Sequence, residues 1–240
     1  MTIIIRKFQP AEDSKPSSRG AYSNLDRSRA ENGRCSQKTT KSNHILHIAV
    51  IWNDVRRRIV ESDVFACDLT YLNDNVLFEL GYAIANRKEI WISMDPEANP
   101  RSRRTYRSLG LGAIHYITQT NFQDLAHGLE RAAQDTHYLL DDFLKTDTAG
   151  QPSLLYLTVQ PGTTASINLA EYLTVNAPPV PLIVDDPAEM KQPLAWYINN
   201  LRRGLGTIIH LKRNDIQSND EFNAKYALIA GVAVGLDVPH

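Results

Sequence analysis

The sequence lacks three features, each of which would assign the chain to a class of proteins. No apolar run approaches the roughly 18 residues of a membrane-spanning helix, and Met1–Phe8 lacks the pattern of a signal peptide. Two cysteines in 240 residues are too few for a disulfide framework. The formal net charge is −1, so overall charge gives no attraction to nucleic acid or to a membrane surface. We therefore expect a cytoplasmic globular protein.

Several motifs that carry chemistry are also missing. No G-x-x-x-x-G-K-[ST] loop occurs, no G-x-G-x-x-G follows a predicted strand, and no serine-centred nucleophile elbow is present. The seven histidines are scattered. His44 and His47 lie three residues apart, but no cysteine or acidic partner stands at ligand spacing. We expect neither a metal site nor a bound cofactor.

The most informative segment present predicts a strand, an acidic loop, a helix and a second strand. Val64–Cys67 is an apolar run that is typical of a buried parallel strand, and Asp68 ends it with a carboxylate. Val76–Asn86 has the pattern of a helix, and Glu89–Met94 that of the next strand. In open α/β sheets ligands bind outside the carboxyl ends of the strands. Asp68 and the start of the helix therefore lie where a ligand site is expected.

Glu79 is the unusual residue of this helix, because an unpaired charge among apolar neighbours is costly. It either belongs to a site or pairs with a nearby arginine. Asn75 precedes it by four residues and shares its face of the helix. Asn73, Asp74 and Asn75 are candidates for capping the helix, and Asp74 and Asn75 are also candidates for binding a substrate. Tyr82 either stacks on a base or packs in the core, and Asp68 either binds a substrate or caps the loop.

Residues 68–88, DLT-x-x-N-x-NV-x-x-ELGYA-x-A-x-x-K, resemble the signature of the nucleoside 2-deoxyribosyltransferase-like group. That group is related to the TIR-type domains that cleave NAD. The resemblance is dense over residues 52–94. It implies that Glu79 is the catalytic carboxylate and that the substrate is a nucleoside, a nucleotide or NAD. A homo-oligomer is a further candidate partner state.

The residues fit the chemistry that the resemblance implies. Cleavage of an N-glycosidic bond develops positive charge on the sugar ring, which a carboxylate stabilises or traps covalently. Glu79 suits that role, while Asp68 and Asn75 suit the binding of sugar hydroxyls. We expect N-glycosidic bond cleavage or deoxyribosyl transfer. The alternatives are a non-catalytic nucleotide-binding sensor or interaction module of a bacterial defence or signalling protein, and a structural oligomerisation domain.

Strand and helix patterns alternate along most of the chain, which favours an α/β fold. We expect two tandem flavodoxin-like (Rossmannoid) parallel sheets with helices on both faces. Residues 44–148 form the first unit and residues 153–240 a second, degenerate one. Residues 1–43 are expected to be poorly ordered, apart from a first strand within Thr2–Phe8, because they have too few apolar residues to form a core.

An internal repeat supports the two units. Glu79–Ala85 aligns with Ile229–Gly235, and Ile229 stands where the first copy has its acid. The second unit is then a binding or scaffolding copy, although close helix packing through small residues explains the repeat equally well. The repeat also predicts a strand after Val238, so we expect the sequence to be a piece of a longer protein.

Two arginine-containing stretches flank the motif. Arg56–Arg58 lies on a predicted helix, where it forms a solvated face or contacts a phosphate. Asp95–Ser108 is polar and contains prolines and arginines, so it is predicted to be a loop, either mobile over the site or a plain surface connection.

Overall fold

A computed structural model gives the fold of residues 2–5, 52–111, 116–118, 123, 127–128, 151–158, 163–176, 180–185, 192–211 and 220–237. These residues form a mixed α/β structure with two sheets. The predicted α/β class is therefore confirmed, and each sheet contains three parallel strands. Most of the predicted N-terminal segment and most of the last 30 residues of the predicted first unit lie outside the described residues.

The first sheet comes from the N-terminal half. Its strands are β1 (Thr2–Ile5), β2 (Val64–Asp68), β3 (Glu89–Met94) and β4 (Tyr116–Thr118). Its helices are α1 (52–61), α2 (Asp74–Ala85) and α3 (Pro100–Ser108). The strand order is β1-β2-β3-β4, with β2, β3 and β4 parallel and β1 antiparallel at the edge. β1 lies within Thr2–Phe8, where a first strand is predicted.

The second sheet comes from the C-terminal half. Its elements are β5 (Leu154–Leu157), α4 (Thr164–Asn176), β6 (Leu182–Asp185), α5 (Leu194–Arg203), β7 (Gly206–Ile209) and α6 (Asp220–Gly235). All three strands are parallel, in the order β6-β5-β7. The strand that begins the half thus lies between the two that follow it.

The sequence of α2 explains both of its ends. The side-chain oxygen of Asn73 accepts hydrogen bonds from the backbone nitrogens of Asn75, at 2.9 Å, and Val76, at 3.4 Å, and so caps the first turn. At the other end the Asn86 amide donates to the carbonyl oxygen of Tyr82 at 2.8 Å. Arg87 then adopts a φ of 54°, which turns the chain towards β3.

The two halves meet where α2 crosses α6. A Cβ atom added at Gly81 would overlap the carbonyl oxygen of Leu228 and lie 3.0 Å from its carbonyl carbon. A Cβ atom added at Gly231 would overlap the carbonyl oxygen of Phe78 and lie 2.8 Å from its carbonyl carbon. Gly231 and Leu228 stand 150 positions after Gly81 and Phe78, so the second contact repeats the first with the two helices exchanged. An approximate twofold axis therefore relates the two helices at their crossing.

Apolar side chains from both halves form one core. Members that are fully buried include Phe65, Leu80, Leu157, Ile198 and Leu228. Burial of this kind removes about 1.5–3 kcal/mol of unfavourable apolar exposure per large side chain. The two sheets therefore stabilise each other through the helices between them.

The segment predicted to be a loop after β3 is a helix over most of its length, so that prediction was wrong. Asn99 caps α3 by accepting a hydrogen bond from the Arg101 backbone nitrogen at 3.2 Å, and Pro100 occupies the first turn. Tyr106 is 2% exposed, and its ring packs edge-on against Tyr116 with centroids 5.1 Å apart. The polar composition of this segment gave no indication of a helix, because α3 buries only a narrow stripe of its surface.

Candidate functional site

The candidate site lies at the carboxyl ends of β2 and β3, called here the carboxyl edge. Asp68 pairs with Ser93 in register, so the two strands end at the same level. The Asp68 side chain is partly buried. Its Oδ1 atom accepts hydrogen bonds from the backbone nitrogen of Thr70 at 2.8 Å and from the Thr70 hydroxyl at 2.6 Å. The loop that follows β2 therefore folds back onto the Asp68 carboxylate.

Thr70 joins this loop to the one after β3. Its hydroxyl oxygen accepts a hydrogen bond from the backbone nitrogen of Asp95 at 2.9 Å, and its carbonyl oxygen accepts one from the Asn99 amide at 3.0 Å. The residue is 4% exposed. Sequence reasoning placed Thr70 in the motif but gave it no role, because its partners come from a loop more than 20 residues away. Thr70 and Asn99 hold the carboxyl edge together.

Glu79 lies in the second turn of α2, which begins at this edge. Its side chain is partly buried, as is that of Asp74, while Asn75 is exposed. Burial raises the pKa of the Cys67 thiol, and the nearby carboxylates of Asp68 and Glu79 raise it further. That the two carboxylates share one pocket stays a prediction.

Tyr82, three residues after Glu79 in α2, packs in the core. Its ring is 2% exposed and packs edge-on against Trp52 with centroids 5.4 Å apart. Its hydroxyl oxygen accepts a hydrogen bond from Nε of Arg56 at 2.8 Å. Core packing, one of the two alternatives for Tyr82, accounts for these contacts, and the site proposed below does not use the ring.

The carboxyl ends of the second sheet carry a different set of side chains. Asp185, 5% exposed, ends β6 and accepts a hydrogen bond from the Tyr197 hydroxyl at 2.7 Å. Lys225 forms an ion pair with the same carboxylate at 3.5 Å and lies 4.6 Å from the centroid of the Tyr197 ring. Burial, followed by the hydrogen bond to Asp185, raises the pKa of Tyr197. Ile229, the counterpart of Glu79, is 1% exposed and belongs to the core.

Comparisons with protein-family models, with curated proteins and with solved structures find no match to this chain. Among the residues that the structure describes, no group of three or more His, Cys, Asp or Glu side chains is arranged to hold a metal ion. The helices within the same ranges are too short or too polar to cross a bilayer. The carboxyl edge carries the carboxylates of Asp68 and Asp95 and the N-terminus of α2, and Glu79 lies in the second turn of that helix.

Proposed function

We propose that the first half of the chain cleaves an N-glycosidic bond, or transfers the deoxyribosyl group, of a nucleoside, a nucleotide or NAD. The supporting observation is that Asp68 ends β2 at the carboxyl edge and that α2, which carries Glu79 in its second turn, begins six residues later. The resemblance of residues 68–88 assigns the chemistry to the same two carboxylates. The position at the carboxyl ends of parallel strands is the one that ligands of open α/β sheets occupy.

In this proposal Glu79 faces the anomeric carbon of the sugar. Its carboxylate stabilises or traps the positive charge that develops as the C–N bond breaks, and the base leaves with the bonding electrons. The base of a nucleoside also takes up a proton, whereas the nicotinamide of NAD carries a positive charge before cleavage and leaves as a neutral molecule. Water or a second base then accepts the sugar. Asp68 holds sugar hydroxyls through its second oxygen, since Thr70 occupies Oδ1. Asn75 and Asp74, in the first turn of α2, complete the contacts to the substrate.

We further propose that the two sheets belong to tandem flavodoxin-like units with helices on both faces. The order β6-β5-β7 equals the 2-1-3 start of the flavodoxin order 2-1-3-4-5, and β2-β3-β4 has the arrangement of its 3-4-5 end. The twofold relation between α2 and α6 supports an origin by duplication. Under this proposal the second unit is a degenerate copy, and the protein works in the cytoplasm, where nucleotides are available.

The test is release of a free base. The full chain is incubated with NAD and with a panel of nucleosides and nucleotides, and products are separated by chromatography. Glu79→Gln should abolish release, because the amide cannot stabilise the cationic sugar. Glu171→Gln, at an exposed position of α4, is the control and should leave release unchanged. Full activity of the Glu79→Gln variant would refute the assignment of the catalytic carboxylate.

A nucleotide-binding sensor without turnover is the second candidate. It is favoured by the engagement of Asp68 with Thr70, which gives this carboxylate a structural role in the loop. Calorimetry with the same ligands separates the two candidates. Binding that Asp68→Asn weakens, with no base released by the unmodified protein, supports the sensor. Release that depends on Glu79 supports the enzyme.

A further inference from the structure

α3 presents a face made of arginine. The exposed side of this helix carries four exposed arginines, called here the arginine face: Arg101, Arg103, Arg104 and Arg107. The opposite side of the helix is buried, with Ser102 fully covered and Thr105 4% exposed. α3 contains no acidic residue. The arginine face extends about 9 Å along the helix axis at 1.5 Å per residue.

The charge of this face is not neutralised within the part of the chain that the structure describes. No ion pair joins any of the four arginines to another described residue. The basic run on α1 differs, because Arg57 and Arg58 both form ion pairs with Asp54. Arg56 is in turn occupied by the hydroxyl of Tyr82. Of the two arginine-containing stretches that flank the motif, the one on α3 keeps its charge available and the one on α1 does not.

The arginine face begins beside the carboxyl edge. Asn99, which caps α3, donates a hydrogen bond to the carbonyl oxygen of Thr70 at 3.0 Å, and Thr70 in turn contacts Asp68. The N-terminus of α3 therefore points to the edge of the sheet where a nucleotide is proposed to bind.

We propose that the arginine face binds the phosphodiester backbone of a nucleic-acid strand. The guanidinium groups match phosphate oxygens in two-pronged hydrogen bonds, and a row of them suits a polymer better than a single phosphate. A membrane surface fits poorly, since the apolar side of α3 is packed against β4 through Tyr106 and cannot insert into lipid. This proposal concerns binding alone and does not depend on the proposed chemistry at Glu79.

Fluorescence anisotropy of a labelled single-stranded oligonucleotide of about 12 nucleotides tests the proposal on the full chain. The variant Arg103→Gln/Arg104→Gln/Arg107→Gln removes three of the charges. Its matched control, Arg57→Gln/Arg58→Gln, removes exposed arginines that already have a carboxylate partner. Each lost phosphate contact should make the slope of log K against log salt shallower by about 0.7. We expect the triple variant to bind at least about tenfold more weakly, with a slope shallower by about 2, and the control to bind normally.

Two further measurements make the outcome decisive. Phenylglyoxal modification of the unmodified protein, read by mass spectrometry, should be slowed at the arginine face by the oligonucleotide and unchanged at Arg58. Poly-glutamate and vesicles with anionic lipid are offered as competitors. No binding of the oligonucleotide, equal losses in both variants, or equally tight binding of either competitor would overturn the proposal.

Discussion

Replacement of Gly81 with alanine places a methyl group against the backbone of α6. The new Cβ atom would overlap the carbonyl oxygen of Leu228, which cannot rotate away as a flexible side chain can. The same holds for Gly231→Ala and the carbonyl oxygen of Phe78. Each substitution therefore forces α2 and α6 apart at the point where the two halves are joined.

The expected magnitude follows from two opposing effects. Alanine favours the helix over glycine by about 1 kcal/mol in a helix interior. Overpacking of a rigid contact costs about 3 kcal/mol at the upper end of its usual range. We therefore expect either variant, Gly81→Ala or Gly231→Ala, to lose about 2 kcal/mol of unfolding free energy. Both overlaps are relieved by one separation of the helices, so the double variant should lose clearly less than the sum of the two.

Urea denaturation of the full chain gives these free energies. Gly204→Ala is the control, because the φ of Gly204 is −63° and its Cβ atom would come no closer than 3.0 Å to another atom. That variant should change the unfolding free energy by less than about 1 kcal/mol. If Gly81→Ala and Gly231→Ala both stabilise the protein, as helix propensity alone predicts, the helices are not in backbone contact. Strict additivity of the two losses would contradict the shared crossing.

Three further predictions concern buried polar groups. Thr70→Val removes both of its side-chain hydrogen bonds while keeping its shape, and it should lower the unfolding free energy in urea by about 1–3 kcal/mol. Lys225→Met leaves the buried carboxylate of Asp185 without its cation and should cost about 3 kcal/mol, whereas the pair Lys225→Met with Asp185→Asn should cost less than that single change. The raised pKa of Cys67 keeps the thiol protonated in the folded state, so above about pH 9 only the unfolded chain releases this proton. Stability should then fall by up to about 1.4 kcal/mol per pH unit in this range, and Cys67→Ala should remove that part of the decline; an unchanged pH profile in Cys67→Ala would contradict it.

The elements whose bounds were predicted well are those with an apolar buried side that their own residues show. β3 has the bounds that its apolar run predicts, and β2 extends the predicted Val64–Cys67 by one residue. α2 begins two residues earlier than the predicted Val76, because Asn73, the first of its three candidate caps, is the residue that caps it. α3 was missed because its buried stripe consists of small polar residues and one tyrosine, which give no apolar periodicity. Local pattern predicts an element only when its buried side is apolar.

The residues of the candidate site also fall into two groups, those that the sequence indicated and those that it did not. Asp68 and Glu79 were visible because a carboxylate at the end of a buried strand and one inside an apolar helix are both exceptions to a local pattern. Thr70 and Asn99 were not, because their roles come from a hydrogen bond across 29 residues of sequence. The close approach of α2 and α6 was predictable only in part.

The small residues around Gly81 and Gly231 suggested close helix packing in the sequence, but only the structure shows that each glycine contacts the backbone of the other helix. The crossing that fixes α2, and with it Glu79, thus depends on residues 150 positions away, and a change to Gly231 should disturb the first half as much as a change within it.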